Sequence, residues 1–232
     1  AEGGGRWPRA AEAAARALGL LAAAAVAGAA AFGLAGLAVW SAAGLWRFPD
    51  ALPEGWTWRT WARHGPEMLG PAAETLAIAL GVTLLALALA AACLETEFRR
   101  GRRPGARALG LLYLPLIVPQ IAFLPGLATL ALLLGAEPGP LAVGAAHLVF
   151  VLPYVFLSLA DPWRAWDGRH AIVAATLGAS PTGALLRVRL PMMLAPLLTA
   201  GAVGFAVSVG QYLPTLLVGG GRVATLTTEA VA

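Results

Sequence analysis

Long apolar runs alternate with short, arginine-bearing connectors along the chain. Stretches without Asp, Glu, Lys or Arg cover Ala17–Trp46, Thr75–Leu94, Ala108–Ala136, Pro138–Ala160 and Leu190–Gly221, each 20 residues or longer. A helix rising about 1.5 Å per residue crosses a hydrocarbon core of about 30 Å in about 20 residues, so all five can span. The pattern predicts an all-α, polytopic membrane helical bundle with five visible spans at about 17–46, 72–94, 108–136, 138–160 and 190–218. A segment 1–16 precedes them, and residues 17–232 are expected to form one transmembrane domain containing a loop at 161–191. The first run is about twice the apolar core of a signal peptide (about 7 to 15 residues) and shows no distinct small-residue cleavage site, so it is read as a retained helix.

Arginine placement sets the expected orientation, because cytoplasmic connectors are enriched in basic residues. With the N-terminus cytoplasmic, twelve arginines fall inside: Arg6, Arg9 and Arg16, then Arg99, Arg100, Arg102, Arg103 and Arg107, then Arg164, Arg169, Arg187 and Arg189. Four fall outside, at Arg47, Arg59, Arg63 and Arg222. Trp40 and Trp46 close the first span and Trp163 and Trp166 follow the fourth, at depths where amphipathic rings favour the headgroups. The final segment RVATLTTEAVA is too short and polar to cross again, which leaves it outside.

Composition narrows the chemistry. Hydrophobic residues make up 59% and charged residues 12% of 232 positions, against about 25% charged in an ordinary soluble domain. All 16 basic residues are arginine, so no lysine can serve a phosphate-binding loop or a Schiff base. Any ATP hydrolysis therefore belongs to another chain, and no cofactor is expected on this one. The single Cys93 closes no internal disulfide, and no Cys/His set has metal-site spacing. The net charge of +4 is spread between apolar runs rather than gathered on one soluble face, so it reads as topology and not as a nucleic-acid surface.

Several spans are irregular. Pro115, Pro119 and Pro125 each delete a backbone donor in the third, which should be kinked or locally unwound and turned toward the bundle interior. Gln120 is then either part of a polar translocation path or an amide joining two helices. His147 in the fourth span reads first as a buried structural histidine and second as a path residue. Gln211, in VSVGQYLP, sits between glycine and proline where a helix can break, and both roles are open to it. Glu74, behind Pro71, is expected to complement the helix dipole at the outer end of the second span. Ala200, Gly204 and Ser208 recur every four residues in the fifth and allow close helix approach, a spacing an alanine-rich chain also produces by chance.

The loop DPWRAWDGRHAIVAATLGASPTGALLRVRLP has its own periodicity. Ile172, Val173, Ala175, Thr176 and Leu177 make a short helical surface that Gly178 can end. Ser180 and Pro181 supply an N-cap and first-turn proline for a second helix, Thr182 to Leu190, with Leu185 and Leu186 beside Arg187 and Arg189 and Pro191 marking entry to the fifth span. A helix, a turn and a second helix form a semi-apolar knob suited to docking a soluble partner, or to lying on anionic lipid.

This loop resembles the cytoplasmic signature of the inner-membrane permease subunits of binding-protein-dependent ABC importers, E-A-A, three residues, Gly, nine residues, then I-x-L-P. Gly178 is followed nine residues later by Val188, Arg189, Leu190 and Pro191, with Val in place of Ile. Ile172, Val173 and Ala174 occupy the E-A-A positions, so the acidic residue is absent and Ala174 matches. The resemblance extends over nearly the whole chain, through FPDALPEGWTWRTW, LPLIVPQIAFLPGLATL, HLVFVLPYVFLSL and GFAVSVGQYLPTLLVGGGRVATLTTEAVA, the last most like the thiamine, ferric-iron and sulfate branch. It implies a type I importer fold with a sixth span after the last phrase, as in the second half of a fused permease.

The resemblance also implies a bacterial inner-membrane location, cytoplasmic ATP-binding cassette subunits, a second permease unit and an extracytoplasmic solute-binding protein. Ala174, Gly178, Ser180, Pro181, Arg187, Leu190 and Pro191 would then couple to the ATPase, and Gln120, His147 and Gln211 would line the path. Trp56, Trp58 and Trp61 would either meet the binding protein or anchor at the interface. An ion-coupled secondary transporter is the rival, but it usually needs carboxylates inside the bundle, and none lies centrally in a span. A membrane scaffold would not require the structured loop.

Overall fold

A computed structural model describes residues 9–47 and 49–232, with side-chain surroundings from residue 13 onward. Arg6 and the first half of the expected N-terminal segment 1–16 lie outside the described residues. The helices run α1 (Arg9–Ala42), α2 (Arg59–Arg100), α3 (Ala106–Ile117), α4 (Gln120–Leu133), α5 (Pro140–Ala165), α6 (Arg169–Thr176), α7 (Pro181–Ala184), a π-helical turn (Leu185–Arg189), α8 (Leu190–Met192), α9 (Leu194–Val209), α10 (Tyr212–Gly219) and α11 (Leu226–Glu229). Among the described residues the one strand-like pairing is an isolated bridge between Ala43 and Trp56. Three helices are long and apolar enough to cross a membrane, and the total is five if each of the bent pairs α3–α4 and α7/α8–α9 counts as one span.

The chain divides into two compact units between Glu67 and Met68, within α2. In the first unit, α1 is exposed from Ala13 onward apart from Val39 and Ala42, with Phe32, Leu34 and Trp40 facing outward, as the apolar stretch of a helix surrounded by lipid should be. The loop after it is closed by Gly44 N–H donating to the Gly55 carbonyl at 2.8 Å and by Trp61 Nε1 donating to the Ser41 carbonyl at 3.1 Å.

The second unit holds the core. α2 has 42 residues, about 63 Å at the helical rise, roughly twice a hydrocarbon core. The expected span at 72–94 is its apolar middle. Charges mark where the membrane ends, not where the helix ends, so Glu74 sits mid-helix and caps nothing. α2 and α5 run in the same direction: Val82 in the middle of α2 faces Gly144 near the start of α5, and Glu97 holds Arg164 near the ends of both. α9 and α10 run against them, with Gly204 between Val151 and Val155, Ser208 on His147 and Gly219 against Val143.

The third span is two helices bent by 111°, a larger break than a kink. Pro119 supplies no N–H, and Val118 adopts an extended conformation, as residues before proline prefer. The pair still carries the chain back along α5, because Tyr113 meets Phe156 and Phe123 meets Phe150. The arginine-rich connector 99–107 and the segment 161–191 therefore lie at the same end of the bundle. α11 folds onto that bundle's other end, where Leu226 N–H donates to Thr75 Oγ1 at 2.9 Å.

The buried face of α9 is Ala200, Gly204 and Ser208, the small-residue stripe legible in the sequence. A Cβ on Gly204 would lie 2.6 Å from Val155 Cγ2 and 3.3 Å from both Thr83 and Val151 methyls. Gly204→Ala is expected to lower the unfolding midpoint in detergent by an overpacking cost of about 1–3 kcal/mol. Gly201→Ala, whose Cβ meets Leu87 at an ordinary 3.4 Å, should change stability by less than about 0.5 kcal/mol; equal losses would contradict this packing.

Candidate functional site

The segment 169–192 is built by local rules. α6 ends where Gly178 takes a φ of +82°, Gly178 N–H donates to Ala175 O and Ala179 N–H donates to Ala174 O, both at 2.9 Å. That pair of bonds satisfies the terminal carbonyls, and the left-handed residue between them favours glycine. Ser180 Oγ then accepts from Gly183 N–H at 3.1 Å and Pro181 takes the first position of α7. The second helix continues through the π-helical turn into α8, and Met193 marks a 75° bend before α9. Pro191, expected to mark entry into the fifth span, is inside α8, two residues before that bend.

The hairpin has a buried side and an open tip. Ala174 and Ala184 are buried, while Ile172, Val173, Leu177 and Leu186 are exposed, Leu177 by 82%. Arg187 points outward and Leu190 is half-buried. Beneath them lies Arg189, 2% exposed. Its Nη1 donates to Glu95 Oε2 and its Nη2 to the Trp163 carbonyl, each at 2.8 Å. The guanidinium carbon sits 4.2 Å from the Phe98 ring centre and 4.6 Å from those of Trp163 and Trp166. Glu95 also accepts from Arg99 Nε at 2.7 Å, and Arg99 Nη2 donates to the Pro181 carbonyl at 3.1 Å. Both ends of the second hairpin helix are thereby tied to the end of α2. Beside this circuit, Glu97 takes two bonds from Arg164, at 2.8 and 3.0 Å, joining α2 to α5.

A second polar group lies deeper in the bundle. Gln120 Nε2 donates to Gln211 Oε1 at 3.1 Å, the Gln211 carbonyl accepts from Thr215 Oγ1 at 2.6 Å, and His147 lies between Thr215 and Ser208 at 2.9 and 3.0 Å. Thr215 has one proton and gives it to the carbonyl, so it accepts from His147 Nε2–H; Ser208 then donates to His147 Nδ1. Both ring nitrogens of His147 thereby have a hydrogen-bond partner. His147, Ser208, Thr215 and Gln211 are buried and Gln120 is half-buried, so the three path candidates form one chain of contacts across α4, α5 and α10.

The chain is a polytopic helical bundle with a structured hairpin anchored between two apolar helical segments. No family model matches the chain. It is 41% identical over 159 residues to the inner membrane ABC transporter permease protein YnjC of Escherichia coli K12, covering 68% of this chain and 30% of that protein. It is 32% identical over 163 residues to the molybdenum transport system permease protein ModB of Mycobacterium tuberculosis, covering 65% and 58%. It is 24% identical over 165 residues to the spermidine/putrescine transport system permease protein PotC of Haemophilus influenzae, covering 71% and 64%. The chain belongs to the family of inner-membrane ABC transporter permeases. It spans less than two thirds of the length of each relative named, and nothing among them singles out the thiamine, ferric-iron and sulfate branch.

Sequence reasoning placed Arg189 in the motif but gave it no role, and it treated Trp163 and Trp166 as interfacial anchors. Trp163 is 1% exposed and both rings form the cation's box. The available signal was Glu95, Glu97 and Phe98 at the end of one apolar run, opposite aromatics at the end of another. Removing one partner of a buried ion pair costs about 3–5 kcal/mol because the other charge is stranded. Arg189→Gln is expected to cost about 3 kcal/mol by chemical unfolding in detergent, near the lower bound because Arg99 still pairs Glu95. Adding Glu95→Gln to it should cost less than the two single losses summed; simple additivity would show that the contact carries no coupling.

Proposed function

We propose that the chain is the permease subunit of an ATP-driven importer, forming half of a substrate path and receiving motion from a separate ATPase through the hairpin 169–192. One observation carries this: an apolar tip of Ile172, Val173, Leu177 and Leu186 stands exposed on a mount whose other side is fixed to the ends of α2 and α5. Such a tip costs solvation free energy unless something covers it, and such a mount delivers whatever force the tip receives. Ala174, Gly178, Ser180 and Pro181 shape the turn, and Arg187 offers a free cation at its rim. The N-terminus and the hairpin lie on the cytoplasmic side in this reading, as the arginine distribution favours.

The rest of the assembly follows from the same family. A second permease unit would complete the path, with Gln120, His147 and Gln211 at its wall, and an extracytoplasmic solute-binding protein would deliver cargo at the opposite end, near Trp56, Trp58 and Trp61. The path cluster is neutral, offering amide, hydroxyl and imidazole groups, and suits a gate that parts by exchanging hydrogen bonds with water. Glu95 and Glu97 are buried and arginine-paired at one end of the apolar stretch of α2, and Glu74 is half-buried at its other end, so none of the three stands centrally in a span as ion coupling would favour.

Leu177→Asp places a charge at the most exposed apolar point of the hairpin without touching its mount. The variant should keep its thermal midpoint but lose most of the ATPase subunit that co-purifies with the unaltered protein. Gly178→Arg, which adds strain as well as bulk at the turn, should lose it too. Full retention by both variants would contradict docking at this tip.

A further inference from the structure

The arginine-rich end of α2 carries a feature that ATPase docking does not use. Two cavities meet there. One is lined by Thr96, Arg100, Arg102 and Arg103, the other by Leu89, Ala108, Leu112 and Phe156, and both include Cys93 and Pro104. Their continuity follows from helical spacing. Leu89, Cys93, Thr96 and Arg100 fall at intervals of four, three and four along one stripe of α2, while Pro104, Ala108 and Leu112 run at intervals of four into α3. Between the two stripes lies a groove that begins among guanidinium groups and turns apolar within about 10 Å, the rise of the seven residues from Arg100 back to Cys93.

Charge fixes what complements it. The one carboxylate in the polar cavity is Glu97, which is buried and already takes two bonds from Arg164; Arg103 reaches it only at 3.6 Å. Among the described residues Arg100 and Arg102 lie within 4.0 Å of no carboxylate. Guanidinium forks match phosphate oxygens, and basic pockets between membrane helices hold anionic head groups. A free ion would fill the polar half and leave the apolar half exposed, whereas a lipid fills both.

We propose that this groove binds one anionic phospholipid, its phosphate held by Arg100, Arg102 and Arg103 and one acyl chain laid past Cys93 between α2 and α3. The inference does not depend on the importer reading. The bound lipid covers the joint where α2 turns into α3 and steadies the helix end on which Glu95 and Glu97 stand.

Cys93 is the chain's single cysteine and sits where the cavities join, which makes it the reporter. The full chain would be placed in nanodiscs of phosphatidylcholine alone or of equal phosphatidylcholine and phosphatidylglycerol, and labelled with an uncharged maleimide. Labelling is expected to be severalfold slower with phosphatidylglycerol, and Arg100→Gln/Arg102→Gln/Arg103→Gln should abolish the difference while leaving the thermal midpoint in pure phosphatidylcholine unchanged. Native mass spectrometry should show one phosphatidylglycerol retained by the unaltered protein and none by the triple variant. Equal labelling in both bilayers, fast or slow, would overturn the proposal, the slow case meaning that protein covers the groove. Protection by inorganic phosphate in pure phosphatidylcholine would overturn it in favour of an ion site.

Discussion

A guanidinium buried among three aromatic rings needs a counter-charge, and Arg189 finds it on a helix nearly a hundred residues away in sequence. Desolvating an isolated cation is expensive, so the site persists because Glu95, the Trp163 carbonyl and the ring faces of Phe98, Trp163 and Trp166 together replace the lost water. The partners come from two helix ends, neither of them the hairpin's own. Glu95 and Phe98 require α2 to run well past its apolar stretch, Trp163 and Trp166 require α5 to end beside it, and Arg189 requires the hairpin to fold back beneath both. Once that junction forms, the hairpin is tied, as a bracket, to the ends of α2 and α5 rather than standing free as a surface loop.

The bundle above the junction is held differently. Where α9 crosses α5 and α2, the stripe Ala200, Gly204 and Ser208 replaces side-chain bulk with backbone proximity, which is how helices associate when lipid removes the hydrophobic incentive. Helix breaks at Pro119 and Gln211 would leave unsatisfied backbone in lipid. They occur instead where Gln120, Gln211, Thr215 and His147 bond one another and the freed Gln211 carbonyl. The polar cluster and the helix breaks are thus one feature: a place where the spans are least continuous and most able to change partners.

Much of this was legible in the sequence because bilayers impose coarse rules. Charge-free run length located the apolar middle of each span, and local chemistry at Gly178, Ser180 and Pro181 located the hairpin turn to the residue. Helix ends were less legible, since α2 continues through charged residues on both sides and the expected cap at Glu74 is mid-helix. The third span was expected to kink, yet the 111° bend depends on how α4 packs against α10, which proline spacing does not encode. Arg189 escaped notice because a motif's variable position carries no periodic signal; its role exists only once two distant helix ends meet.

Family membership links this bracket to a permease, and the bracket's rigidity is what would let a distant engine act on the spans. That rigidity is directly measurable by pulsed electron paramagnetic resonance between spin labels at Thr176 on α6 and Ala92 on α2, in a Cys93→Ser background with the ATPase subunit present. The account predicts one narrow distance distribution that does not move when ATP is added. A distribution that broadens or shifts with nucleotide would mean that the hairpin swings independently of α2, and the central claim would fail.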